Sequence, residues 1–302
     1  MTAATVEPVE VLDEPQWRAR AAAHRARVER WTLPHRERRR RREPHPVMDF
    51  LFTYYSYRPQ RLEQWHPGPD VLLRGGDEYL DRPGYVRDGD GVRLDPGALP
   101  PRLAGTAGFV GALLTATASR QPRLSCFGMH EWAMVYRTDA PRHWYVPLRL
   151  GRESTDAVVE SLPLHCTHHD AYRFFTDAAR PRNAVAPRRE DQIALEQPGC
   201  LHANMDLYKW AYKLAPVTPA ELIADCFELA VAVRELDMRA SPYDLTAWGY
   251  DPVPVETPAG RAQYVREQAE FVRRAAPLRA RLLALVERVW PAARPATAVA
   301  GR

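Results

Sequence analysis

The sequence predicts a mainly α-helical single domain with a few short strands and a basic N-terminal helix. Apolar residues recur at helical spacing over several long stretches, whereas strand-like pieces are short and confined to Gly/Pro-rich segments. The chain has 302 residues, 45% hydrophobic and 26% charged, enough to bury one large core. No repeat of solenoid length interrupts this pattern.

Residues 1–13 are expected to be disordered. Residues 14–46 read as a basic amphipathic arm: from Pro15 to about Trp31 a helix places Trp17, Ala21, His24, Val28 and Trp31 on one side and arginines on the other. His35 to Arg42 extends the basic surface, and Pro44 and Pro46 end it. Residues 47–302 are expected to form a helical catalytic domain. It opens on the aromatic run HPVMDFLFTYYSYRP, followed by a Gly/Pro/Asp-rich stretch at 66–101 with short strands at most. An apolar helix follows at about 102–119. The block from Leu124 to Tyr136 reads equally as helix or strand, and His143 to Leu150 alternates enough for a short strand. His202 to Leu214 is helical, and a further helix begins near Thr218, where Thr218 and Glu221 have capping-box spacing. A last amphipathic helix covers about 259–289.

Charge is unevenly spread. The segment from Gln16 to Arg42 holds eleven arginines against Glu29 and Glu37, a net +9, which leaves the rest of a +4 chain at −5. Such an arm suits contact with DNA or another polyanion, and equally a solvated helix face. No apolar run reaches the eighteen or so residues of a membrane span, so no membrane association is expected. The start MTAATVEPVEVLDEP lacks an apolar signal core. A cytoplasmic location is therefore expected, with Cys126, Cys166, Cys200 and Cys226 as reduced thiols. Oligomeric state is not legible.

Among forty arginines the chain has only two lysines, both in Tyr208-Lys-Trp-Ala-Tyr-Lys213. An ammonium is a compact point charge that fits where a planar guanidinium does not, and it is able to lose its proton. On a helix, His202, Asp206, Lys209 and Lys213 share one face. That face is the first catalytic candidate, together with Asp170 from the similar segment LHCTHHDAYRFF. Lys213 is expected to lower the pKa of Lys209, and the alternative is a solvated face with an ordinary Asp206–Lys209 pair.

A second set has metal-ligating chemistry: His130 and Glu131 with Cys126, His165, His168 and His169 with Cys166 and Asp170, and His202 with Cys200; zinc or iron suits such a set, and buried core histidines with backbone partners are the alternative. Its spacing matches neither a zinc finger nor HExxH. A third set, Tyr54, Tyr55, Trp132, Tyr172, Tyr208 and Trp210, supplies aromatic walls for a substrate, with Lys213 beside them; helical cores use the same residues. No GxGxxG, Walker or GxSxG motif is present.

The blocks HPVMDFLFTYYSYRP, RLEQWHPG, CFGMHEWAMVYR, LHCTHHDAYRFF, QPGCLHANMDLYKWAYKL and LDMRASPYDL resemble a family of actinobacterial-type proteins usually labelled 3-methyladenine DNA glycosylase. The resemblance runs from about Trp17 to the last helix. It implies an enzyme that flips an alkylated purine into an aromatic pocket, with Asp206 or Asp170 stabilising the sugar cation or activating water. It implies lyase chemistry by Lys209 if the amine attacks C1′, and phosphate contacts from residues 16–42. The residues alone leave a second class open, a metal-dependent small-molecule enzyme using the His/Asp/Glu cluster. A third option is a nucleic-acid-binding accessory protein in which only the basic arm matters.

Overall fold

Helix α9, Leu201–Lys213, runs through the middle of the protein and is buried along its length from Leu201 to Ala211. A helix enclosed on all sides must find a partner for each polar side chain it carries. This computed structural model describes residues 10–291. In chain order its other helices are α1 (Glu14–Arg41), α2 (Asp49–Thr53), α3 (Pro59–Glu63), α4 (Arg102–Ala118), α5 (Met129–Ala133), α6 (Gly151–Ser161), α7 (His169–Tyr172), α8 (Gln192–Leu195), α10 (Ala220–Arg239) and α11 (Pro258–Val289). Helix dominates, as the sequence predicts.

Helix α10 packs against α9, α11 contacts both, and α4 packs on α11. Their apolar faces meet in one core that reaches from Leu12 to Trp290. A small satellite around Val47, Val146, Met238 and Tyr243 sits beside it. Helix α10 is apolar on nearly every side, yet it buries Arg234 and Asp237. That exception marks the site. The expected Thr218/Glu221 cap does not form, because Glu221 instead accepts a 2.6 Å hydrogen bond from Trp65 Nε1.

Strands β1 (Glu10–Leu12), β2 (Val71–Arg74), β3 (Tyr85–Asp88) and β4 (Gly91–Leu94) form one small sheet in the order β1-β2-β4-β3. Strand β1 runs parallel to β2, and β3–β4 is a hairpin closed by Gly89, whose φ of +55° suits a residue without a Cβ. Residues 10–12 are thus ordered, contrary to the expectation for 1–13, because they gain a backbone partner on the β2 edge. Residues 1–9 lie outside the described residues. The strand expected at 143–150 is also absent: only Leu148 bridges, to Tyr243, and the backbone otherwise turns around Trp144. The undecided 124–136 block contains the short helix α5.

Helix α1 extends ten residues further than Trp31, to Arg41. It begins where Gln16 Oε1 accepts the Asp13 N–H, and it ends at Arg42 in the left-handed conformation. It buries Trp17, His24, Val28, Thr32 and His35 and shares the main core with α3 and α10. It is a docked helix, and its charge is largely spent on the body. Arg27 pairs with Asp225 and Glu228, Arg30 with Glu228, Arg36 with Glu63, and Arg38 with Asp49. Arg18, Arg20 and Arg25 have carboxylate partners as well. Only the stretch from Arg39 to Arg42 forms no ion pair with the described residues. The −5 body is therefore the counterpart of the +9 helix. Among the described residues no helix is long and apolar enough to cross a membrane.

Candidate functional site

Lys209 is the hinge of a first buried cluster. Its ammonium bonds Asp206 and lies 3.1 Å from Asp170 Oδ2, the latter delivered by the first turn of α7. Tyr55 O–H donates to Asp206 Oδ1 at 3.1 Å, and His168 Nε2 lies 3.3 Å from Asp206 Oδ2. Glu196 approaches His168 at 3.9 Å. Burial opposes the Lys209 charge, but Asp206 and Asp170 together outweigh it and raise its pKa. Burial likewise opposes the Asp206 carboxylate, and Lys209 and His168 overcome it, holding Asp206 well below the usual range. Asp170 is held low against burial, chiefly by Lys209. Burial pushes Glu196 up. Lys209 is thus a fixed cation, contrary to the expectation of a neutralised amine. Lys213, four residues on, is exposed; its own pKa falls, first through partial burial and then through Lys209.

A second cluster sits on α5 and α10. His130 Nε2 and Asp237 Oδ1 are 2.6 Å apart, and Arg234 Nη1 donates to Asp237 Oδ2 at 2.9 Å and to Glu131 Oε1 at 2.8 Å. Burial works against both charges of the His130–Asp237 pair, yet each partner holds the other ionised. His202 joins the two clusters. Its ring stacks on His168 at 5.2 Å and meets His130 edge-on at 4.5 Å. Burial drives the His202 pKa well below its ordinary value, so the ring is neutral. A continuous chain of titratable groups results, from Lys209 through His168, His202 and His130 to Arg234 and Glu131.

That chain borders two cavities. One, of about 450 Å³, is walled by Phe50, Tyr54, Phe174 and Tyr243, with Asp170, Glu131 and His202 among its polar residues. As it stands it has free room for about one water molecule. The exposed Arg142 guanidinium lies 4.4 Å over Phe174 at its mouth. The other, of about 430 Å³, is lined by His130, His165 and His202 and by the thiols of Cys126, Cys166 and Cys200. Burial raises all three thiol pKa values, so they are protonated.

The expected site residues therefore separate. His202, Asp206, Lys209, Asp170 and His130 converge, Tyr54 lines the aromatic cavity, and Tyr55 backs Asp206. Trp210 is a floor on which Lys209 and Lys213 rest, at 4.6 and 5.5 Å from its ring. Trp132 and Tyr208 are core residues away from the cavity: Trp132 Nε1 bonds Ala240 O, and Tyr208 packs on Phe227 and Tyr55. Tyr172 packs on Phe175. Of the metal candidates His130 and His202 belong to a ligand-like cluster. Glu131 is engaged by Arg234, His165 lines the second cavity, and His169 Nδ1 is tied to Pro187 O at 3.1 Å. Sequence reasoning missed Asp237, Arg234, Glu196 and Tyr243. The available signal was a charged pair inside the apolar run of α10.

Cations collect elsewhere. A cleft of about 1250 Å³ bearing Arg39, Arg42 and Arg58 meets a larger one bearing Arg61, Arg82, Arg102 and Lys213, and both are lined by Ser56 and Arg58. Among the described residues none of these seven forms an ion pair, and Glu43, Asp49 and Asp81 are the acids on the lining. Tyr57 and Tyr212 stack within it at 4.6 Å.

Comparison of the chain with protein-family models, with curated proteins and with solved structures finds no match.

Proposed function

We propose that the protein is a hydrolase that releases an alkylated purine from DNA by cleaving its N-glycosidic bond. One observation carries this reading: Asp170 is an ionised carboxylate on the wall of an aromatic cavity, backed by Lys209 and Asp206. An alkylated purine is a flat cation, suited to the faces of Phe50, Tyr54 and Phe174. As its bond to C1′ breaks, the electron pair leaves with the base, which departs neutral. Positive charge develops on the sugar, where Asp170 offsets it. Water adds to C1′ and gives its proton to Asp170, which passes it to solvent. Lys209, kept as an ammonium, positions Asp170 and is not the nucleophile.

Phosphate contacts fall to the unpaired groove from Arg39 to Lys213, with Tyr57 and Tyr212 available for stacking. The groove passes Ser56, two residues from Tyr54 in the cavity wall. Access for a base requires Arg142 to swing away from Phe174. A second reading, a metal-dependent enzyme acting on a small molecule, is favoured by the closeness of His130, His202 and Asp237.

The test is chromatography of free base after incubation with methylated DNA. The reading predicts release of methylated purine and salt-sensitive binding to the same DNA. No release together with no salt-sensitive binding overturns it.

A further inference from the structure

We propose that His130, His202 and Asp237 bind one divalent first-row transition-metal ion at the junction of the two cavities. One donor atom from each lies within 4.8 Å of the others, and all three residues are buried. They come from α5, α9 and α10, so the site is built by the packing of three helices rather than by one flexible segment. This inference goes beyond the base-release reading and does not use Asp170 or Lys209.

His202 is the independent pointer to a ligand. The residue is 8% exposed, and none of the described residues hydrogen-bonds its ring nitrogens. Unlike the two sealed nitrogens of His168, they keep contact with open space, where an ion can reach a lone pair. It lines both cavities, so an ion held there keeps open coordination positions facing free space. Two imidazoles and one carboxylate with open positions suit iron or zinc.

The surroundings are those of a supported ligand set. Arg234 holds Asp237 by Oδ2, and Glu131 in turn balances Arg234, which leaves Oδ1 directed at His130. Without an ion, a proton on His130 Nε2 bonds Asp237 Oδ1 across 2.6 Å. With the ion bound, both atoms become ligands, and that proton leaves to solvent. One proton is lost for each ion gained, and no oxidant or reductant is required.

The experiment uses the whole protein, stripped with a chelator and titrated with Co²⁺, whose visible absorption reports coordination; Zn²⁺ then competes. We expect one equivalent to bind. His202→Ala and Asp237→Asn should each weaken binding at least about tenfold, whereas His165→Ala and His169→Ala should not. Circular dichroism verifies folding; if Asp237→Asn unfolds, His202→Ala decides. Absence of stoichiometric binding overturns the proposal, as does unchanged affinity in folded His202→Ala or loss of the ion in His165→Ala. Base release measured on the same stripped protein reports separately on Asp170.

Discussion

Lys209 Nζ lies 3.1 Å from Asp170 and also bonds Asp206, so one ammonium spans two helices and fixes two carboxylates. Asp206 is fully buried and Asp170 borders the cavity. The lysine therefore links the interior to the place where a substrate would sit.

Removing that charge leaves two close carboxylates, one of them without access to water. Lys209→Met should destabilise the protein by about 3–5 kcal/mol, the range for breaking a buried pair. Lys209→Arg should recover only part of this, because a planar fork does not fit a site built for a compact ammonium. Urea denaturation measures both. A Lys209→Met loss below about 1 kcal/mol would show that the pair is not what holds α7 against α9.

How much of this was legible follows the same residues. The spacing from His202 to Lys209 placed three site residues on one face, and the similarity of LHCTHHDAYRFF to LHANMDLYKW pointed to two segments with one chemistry. The structure brings Asp170 and Asp206, matched in that comparison, to one lysine. Its histidine match did not carry over: His168, not His165, faces His202, because the chain ahead of α7 is irregular and has no period to read. Arg234 and Asp237 stayed hidden because a charged pair at i, i+3 on a helix ordinarily marks its wet face. Only the packing of α10 against α9 buries them.

The basic helix yields a contrast. Arg27 and Arg30 are committed to Asp225 and Glu228, whereas Arg58 and Arg61 have no carboxylate partner. Arg58→Ala with Arg61→Ala should weaken single-stranded DNA binding and lower the slope of log affinity against log salt by roughly 0.7 for each phosphate no longer neutralised. Arg27→Ala should leave that slope unchanged. Titrations at three salt concentrations decide, and the reverse pattern would move DNA binding from the groove to the ion-paired part of α1 around Arg27.

Tyr208 offers a sharp check on the core assignment. Its hydroxyl is buried with no hydrogen-bond partner. Tyr208→Phe removes an unsatisfied group while keeping the ring, so stability should hold or rise by about 1 kcal/mol. Base release should be unaffected. A loss of activity without a loss of stability would make Tyr208 a substrate contact after all.

Acid sensitivity should come partly from His66. Burial, with His24 and Arg82 pushing the same way, lowers its pKa from 6.5 to about 3. The unfolded chain takes up a proton near pH 6.5 that the folded protein refuses. The stability from a neutral His66 is therefore complete above pH 6.5 and is lost as pH falls from there toward 3, at up to about 1.4 kcal/mol per pH unit. Urea midpoints at pH 7.5, 6 and 5 should fall accordingly, and His66→Gln should flatten the decline. An equal decline in the variant would contradict this.

The most direct measurement is the single-turnover rate of base release from methylated DNA by the parent protein and by Asp170→Asn. The amide keeps the shape and removes the charge. The account predicts release by the parent and a rate about 10²–10⁴-fold lower in the folded variant, with DNA affinity preserved. Equal rates would contradict the role given to Asp170 and, with it, the placement of the chemistry beside Lys209.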